Sequence, residues 1–315
     1  MRALDAVDAL FSGSPEIGRT DALLVQRAGE VVLERYGDDV DASTTLRSWS
    51  MAKSMLHAVV GMLVADGRLE MDAPAPVAAW SDPSDPRHGI TLRRLLEMRP
   101  GLEWSEIYLT DTPSDVVEML FGGPDLTPQP DVAAYAAAKP LVAEPGTVFN
   151  YSSGTSNIVS GIVRDLVGAG DAYLAFLHER LFGPLGMTSA EPKLDDAGTW
   201  IASSYCFCTA REFASFGQLY LDGGVRDGVR LLDPEWVADA SRSISTSEEG
   251  RPHSMHWWQM FAADLPGSFN ASGYEGQYTI VVPSLDLVAV RLGQTTAEDH
   301  APIQRHLTAV IDSFG

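Results

Sequence analysis

Trp49-Ser50-Met51-Ala52-Lys53-Ser54 opens a segment that continues Met55-Leu56-His57-Ala58-Val59-Val60-Gly61-Met62-Leu63-Val64. Read as a helix it is apolar on almost every side, so it is expected to be buried. The polar exceptions are Ser50, Lys53, Ser54 and His57. Their i, i+3, i+4, i+7 spacing puts all four on one face. Burying such a stripe is costly unless it lines a cavity or joins a hydrogen-bonded network. A functional reading is a serine nucleophile with a lysine one turn behind it. The plainer reading is a surface Ser and Lys that are neighbours by chance. Lysine is scarce, however: only Lys53, Lys139 and Lys193 occur, and only Lys53 has a serine three residues before it. That favours function.

The chemistry accounts for the spacing. A serine hydroxyl is a poor nucleophile until a neighbouring group takes its proton. Residues three apart on a helix lie side by side. Lys53 can be that base only when neutral. Burial lowers a lysine pKa, and so does the positive N-terminal end of a helix.

Outward from this segment, composition bounds the rest. The 315 residues suffice for a large core and two subdomains. At 45% hydrophobic the chain is globular rather than disordered. Acidic residues outnumber basic ones 43 to 22, a net charge of -21. That argues against nucleic acid or an anionic membrane as partner. Met1 to Phe11 does not read as a signal peptide. No stretch reaches the roughly 18 apolar residues of a membrane span. Cys206 and Cys208 lie too close in sequence for an unstrained bridge. Two free thiols and a cytoplasmic location are expected.

Residues Ala22 to Gln26 and Val31 to Tyr36 read as two strands around the turn Arg27-Ala28-Gly29-Glu30. Gly67 should end the Ser50 helix. A Pro- and Asp-rich loop follows from Asp72 to Gly89. Helices are expected at Thr91 to Met98, Ser114 to Phe121 with Ser114 as its cap, Gly154 to Val167 and Ala172 to Phe182. No strand is expected between about residues 70 and 190. That block reads as an all-helical subdomain (71–194) inserted into an α/β one (1–70 and 195–315). Thr209-Ala210-Arg211-Glu212 fits a capping box. Strands are expected at Ser254 to Ala262, Gln277 to Val282 and Leu287 to Leu292, the last two as an antiparallel hairpin. Ala301 to Phe314 is a closing helix.

Other motifs are missing or weak. The chain has no G-x-S-x-G elbow, no G-x-G-x-x-G and no phosphate loop. His253 and His256 have neither HExxH nor a cysteine cluster beside them, so no metal is expected. His57 lies two turns from Ser50, roughly 10 Å along a helix. It reads as a hydrogen-bonded interior histidine. Two further stretches are unspecific alone: Phe149-Asn150-Tyr151-Ser152-Ser153-Gly154, and Ser272-Gly273-Tyr274-Glu275-Gly276-Gln277. The second suggests a bulge or a close backbone approach.

Together the three stretches resemble the penicillin-recognising serine hydrolases. These include class C β-lactamases, D-Ala-D-Ala peptidases, serine esterases and 6-aminohexanoate-dimer (nylon-oligomer) hydrolases. Ser50-Met51-Ala52-Lys53 matches their S-x-x-K. Tyr151-Ser152-Ser153 matches the second motif. Gly273 to Gln277 stands in place of the third. The resemblance implies an antiparallel sheet flanked by helices plus a helical subdomain, with the active site between them. It implies an acyl-enzyme on Ser50, proton sharing between Lys53 and Tyr151, and an oxyanion hole from the backbone N–H groups of Ser50 and Gln277. Whether Lys53 or Tyr151 is the base stays open, since a coupled pair titrates as a unit. No cofactor is implied, and a homodimer is allowed.

The third motif departs from the family. Tyr274-Glu275-Gly276 replaces the lysine that would meet a substrate carboxylate, and Glu275 would repel one unless it faces away, which weakens the β-lactamase and carboxypeptidase readings. Met98 to Tyr108 resembles the nylon-oligomer branch's loop, which carries a tyrosine over the substrate. The expected function is hydrolysis of small esters and linear amides. Ser153, Tyr108, Tyr274, Glu275 and Gly276 are the substrate-binding candidates. The alternatives are a β-lactamase or D-Ala-D-Ala carboxypeptidase-like enzyme, or a non-catalytic binding relative.

Overall fold

The computed structural model describes residues 3–108, 114–122, 127–247, 249–263, 265–296 and 299–315. After helix α1 (Ala3–Leu10), strands β1 (Arg19–Arg27) and β2 (Glu30–Tyr36) form the expected hairpin. Its turn holds Ala28 and Gly29 at φ 50° and 79°. Two successive positive φ values match the twist of the flanking strands. A short strand β3 (Leu46–Arg47) then leads into α2 (Met51–Ala65), the helix on which the sequence turns. Every residue from Met51 to Leu63 is buried. Gly67, at φ 69°, follows its end.

The helical block holds α3 (Leu92–Leu96), α4 (Asp115–Phe121), α5 (Val132–Ala137), α6 (Ser153–Val167) and α7 (Asp171–Leu177). A π-helical turn, His178–Phe182, extends α7. Next come β4 (Glu191–Pro192), β5 (Cys206–Cys208), α8 (Ala210–Leu221), a small hairpin of β6 (Val225–Arg226) and β7 (Val229–Arg230), and α9 (Pro234–Ala240). Strands β8 (Ser245–Thr246), β9 (Pro252–Ser254), β10 (Trp257–Gln259), β11 (Phe269–Gly273), β12 (Gln277–Val282) and β13 (Leu287–Gln294) precede the closing helix α10 (Ala301–Asp312). The capping box at Thr209 and Glu212 is present at the start of α8.

Eight strands form one antiparallel sheet in the order β2-β1-β13-β12-β11-β10-β9-β8. The first strands of the chain therefore lie beside the last. Alternation along β1 explains the layering. Ala22 and Leu24 face a core shared with α2, α3, α6 and α8. Leu23 and Val25 face a second core, closed by α1 and α10. The β12–β13 hairpin follows the expected register, with Val282 opposite Leu287.

Two expectations need correction. The single strand expected from Ser254 to Ala262 is two short ones, broken at His256, whose φ is 62°. That turn is held by its contacts: the His256 carbonyl accepts from Ser54 Oγ at 2.7 Å, and its Nδ1 meets the Lys53 carbonyl at 3.1 Å. Ser114 precedes α4 but does not cap it. Its hydroxyl donates instead to the Ser105 carbonyl.

Candidate active site

Ser50 stands at the N-cap of α2 with φ -63° and ψ -6°. The two residues before it fix its position. Ser48 N donates to the Cys206 carbonyl at 2.9 Å, and Cys206 N donates back to Ser48 Oγ at 2.9 Å. Trp49 turns the chain through φ 44°. A bulky side chain rarely occupies that region, and such strain persists only where packing enforces it. The Trp49 ring meets Tyr205 at 5.8 Å and the edge of Tyr274 at 5.5 Å.

One turn on, Lys53 is 2% exposed. Its Nζ lies 2.8 Å from the Ser203 carbonyl, 3.0 Å from Ser50 Oγ and 3.1 Å from Ser153 Oγ. Burial lowers its pKa to about 8, with Glu106 acting in the opposite direction. Tyr151 comes from the turn before α6, where Ser152 caps the helix by accepting from Thr155 N at 2.9 Å. Lys53 Nζ sits 4.9 Å from the Tyr151 ring centre. Burial pushes the Tyr151 phenol well up, and the Ser50 hydroxyl beside it works against that rise. The expected trio of Ser50, Lys53 and Tyr151 is therefore brought together.

Ser50 and Tyr151 open onto a cavity of about 530 Å³, whose walls include Glu106, Tyr108, Arg251, Trp258 and Tyr274. Tyr108 lies on the cavity wall. Its ring stacks on Tyr274 at 4.8 Å. Its hydroxyl lies 3.4 Å from Glu106 Oε1.

Four expected site residues lie elsewhere. Gln277 does not line this cavity, whereas Ser272, Gly273 and Tyr274 do. Its side chain is pinned into the sheet by Gly293, donating to the carbonyl at 2.6 Å and accepting from the amide at 2.9 Å. The β11–β12 turn thus presents its earlier residues to Ser50. Glu275 faces away, into a separate cleft with Arg19 and Arg47. Its carboxylate accepts from the Trp49 indole at 2.8 Å. Gly276 is buried, with φ 79°, and packs so closely on Arg291 that a Cβ there would lie 2.7 Å from Nη1. Ser153 is fully buried rather than cavity-lining. The expected close backbone approach does occur: a Cβ on Gly273 would lie 2.4 Å from the Ser48 carbonyl oxygen.

The residue that sequence reasoning passed over is Glu106. It accepts from Ser153 Oγ at 2.5 Å, Ser153 N at 2.9 Å and the Trp104 indole at 2.6 Å. Its only signal was a carboxylate inside the aromatic stretch Trp104 to Tyr108. Trp258, packed 5.4 Å from Tyr151, and Arg251, 4.2 Å above Trp258, were missed too.

His57, His253 and His256, the histidines weighed in the sequence, are interior. His57 Nδ1 pairs with the Tyr220 hydroxyl at 2.7 Å. His256 joins Lys53 to Ser156, and burial followed by the Lys53 charge lowers its pKa to about 3. Among the described residues no group of three or more His, Cys, Asp or Glu could hold a metal ion. No described helix is long and apolar enough to cross a membrane.

The antiparallel sheet, the flanking helices and the Ser50–Lys53–Tyr151 cluster define a β-lactamase-fold serine hydrolase family. The chain belongs to the β-lactamase family, which matches residues 7–312. Among curated relatives it is similar to the 6-aminohexanoate-dimer hydrolase of Paenarthrobacter ureafaciens. The two are 27% identical over 306 residues, covering 91% of this chain and 77% of that protein. Among solved structures, a Bacillus anthracis protein provisionally described as a 6-aminohexanoate-dimer hydrolase superposes with a TM-score of 0.81 at 22% identity. That match covers 98% of this chain and 81% of the other. A family VIII carboxylesterase gives 0.74 at 17%, covering 99% and 96%. The two structural likenesses speak to the fold.

Proposed function

We propose that the protein is a serine hydrolase that forms an acyl-enzyme at Ser50 and acts on small carboxylic esters and on linear amides of the 6-aminohexanoate-oligomer type. The observation that carries this reading is the 3.0 Å contact between Ser50 Oγ and a buried Lys53 at the edge of an open cavity. Lys53 is eased toward neutrality while Tyr151 is held as a phenol. That supports Lys53 as the base that takes the Ser50 proton. Tyr151 then gives its proton to the leaving group and takes one back from the Lys53 ammonium, which returns the pair to its starting state.

The Ser50 N–H and the Tyr274 N–H are the donors we assign to the developing oxyanion. Tyr274 replaces Gln277 because Tyr274 lines the cavity. Water completes the cycle by hydrolysing the ester of Ser50. The cavity takes lining from both 71–194 and 1–70 plus 195–315, the two subdomains we propose. Free, buried Cys206 and Cys208 support a reducing, cytoplasmic setting.

Glu275 no longer argues against a substrate carboxylate, since it lies in the neighbouring cleft. The preference for esters and linear amides over β-lactams therefore rests on the likeness to the 6-aminohexanoate-dimer hydrolase, and turnover is what decides it. The test is a fluorophosphonate label together with a panel of short-chain nitrophenyl esters, aminohexanoate dimer, nitrocefin and D-amino-acid amides. We expect the label on Ser50, ready ester turnover and slower amide turnover. Folded Ser50→Ala protein that kept most of the ester activity would end the proposal. Nitrocefin as the best substrate would replace it with a β-lactamase reading.

A further inference from the structure

Four polar groups form a continuous line that leaves the cavity at Ser50, passes through buried Lys53 and Ser153, and returns to the cavity wall at Glu106. Ser50 Oγ lies 3.0 Å from Lys53 Nζ, Lys53 Nζ 3.1 Å from Ser153 Oγ, and Ser153 Oγ 2.5 Å from Glu106 Oε1. We propose that Glu106 is a positioning residue for the Lys53 base, acting through Ser153 to hold the amine against Ser50 and to compensate the ammonium that Lys53 becomes in the reaction. This rests on the serine-hydrolase reading above and deepens it.

The geometry gives Glu106 little freedom. Oε2 is fixed by Ser153 N at 2.9 Å and the Trp104 indole at 2.6 Å. The loop that carries it is itself tied down. Glu103 N donates to the Pro140 carbonyl at 3.0 Å, Asn150 Nδ2 to the Trp104 carbonyl at 3.2 Å, and Ser105 N to Asp115 Oδ2 at 2.8 Å. Gly154 leaves room for Trp104, since a Cβ there would lie 2.4 Å from the ring. Four donations converge on this half-buried carboxylate, two from Ser153, one from the Trp104 indole and one from the Tyr108 hydroxyl, and they hold it one side chain away from the buried Lys53.

The step needs that charge. As Ser50 Oγ bonds to the substrate carbonyl carbon, its proton moves to Lys53 Nζ and the carbonyl π pair moves onto oxygen. A neutral amine becomes a buried cation in the same step that creates an oxyanion. Other groups facing Lys53 do not offset the cation. Tyr151 is a phenol, and His253 and His256 are held neutral by burial. Glu106 is the carboxylate that acts on Lys53. Around Glu106 itself stand Tyr108, Tyr151, Trp104 and Ser153, none of them cationic.

The test is the pH profile of kcat/KM for a neutral nitrophenyl ester in the full-length protein, with melting temperature and fluorophosphonate labelling recorded on the same samples. If neutral Lys53 is the active form, activity rises through its pKa. Glu106→Gln keeps the shape but removes the charge, so Lys53 should lose its proton at lower pH. We expect the acid limb to move down by about one pH unit and the plateau kcat to fall roughly 10- to 100-fold. Glu106→Asp should keep the limb near its original place while losing rate, because the charge stays and the reach is shorter. Ser153→Ala, which removes the link and spares the carboxylate, should lower kcat. An acid limb that stays put in folded Glu106→Gln protein overturns the proposal, as does an unchanged kcat in Ser153→Ala. Either failure would leave the Ser50 reading standing. Loss of that reading would show separately, as absent Ser50 labelling in the unmodified protein.

Discussion

Burial acts oppositely on the two proton carriers beside Ser50. It disfavours the charged form of each, so it lowers the Lys53 pKa to about 8 and raises that of Tyr151. Below about pH 8 Lys53 is an ammonium and cannot take the Ser50 proton; above it the amine is free. We therefore expect kcat/KM for a neutral ester to climb with pH around a midpoint near 8, in a pH–rate profile under first-order conditions. A profile flat from pH 6 to 9 would remove Lys53 as the titrating base. Tyr108 carries a second prediction. Its ring is fixed by stacking on Tyr274, and its hydroxyl stands at the cavity wall. An amide nitrogen must be protonated as it leaves, whereas an ester has the better leaving group. A bond from Tyr108 made mainly in the transition state would contribute about 1–3 kcal/mol, roughly 5- to 150-fold. Tyr108→Phe should lower amide turnover by that factor and leave ester turnover nearly intact. Equal losses on both would reduce Tyr108 to a packing role. Ser50, Lys53 and Tyr151 were legible because local spacing and short motifs carried them. Glu106 was not, because its meaning depends on Ser153, 47 residues away, and no spacing encodes that meeting.

At the level of elements, the close approach of β11 to the start of α2 carries most of the site's precision. Gly273 has an ordinary extended backbone, so its requirement is space rather than a left-handed φ. A methyl there would meet the Ser48 carbonyl at 2.4 Å and the Trp49 Cβ at 3.0 Å. Overpacking of this kind costs about 1–3 kcal/mol. It would also shift Tyr274 relative to Ser50. Gly273→Ala should therefore lose about that much in denaturant unfolding and lose at least tenfold in kcat with little change in KM. Wild-type kcat in this variant would show that the spacing of β11 and Ser50 is not critical. The long elements could be read from sequence because each carries its own period: α2, α6, α8, the β1–β2 hairpin and the β12–β13 hairpin. Strands β3 and β8, two residues each, have too few positions to show a period. They exist because tertiary partners align them. The break at His256 is of the same kind, since Lys53, Ser54 and Ser156 hold it from distant elements.

For the whole molecule the governing quantity is charge. Acidic residues exceed basic ones 43 to 22, leaving a net -21. Many arginines are already committed to nearby carboxylates, as in Arg93–Asp72, Arg180–Asp66 and Arg211–Glu34. These pairs are partly exposed, and such pairs contribute little. The unpaired carboxylates repel one another over the surface, which opposes compactness. Salt acts on both terms. It weakens the pairs slightly and screens the long-range repulsion more, because the Debye length falls from about 30 Å at 0.01 M to about 3 Å at 1 M. With so large an imbalance the second effect should win. We expect the melting temperature to rise by a few degrees between about 0.01 and 0.5 M sodium chloride, each kcal/mol of relieved repulsion being worth roughly 2–4 °C in a domain of this size. Choline chloride at equal ionic strength should give the same rise, since screening depends on charge and not on the particular cation. The field should reach the substrate as well. A cationic ester should show a higher kcat/KM than its neutral isostere at low salt, through faster encounter, and should lose that advantage as salt is added. Melting that falls with salt would mean that the ion pairs outweigh the repulsion, and a cationic advantage that persists in 0.5 M salt would assign it to contacts inside the cavity.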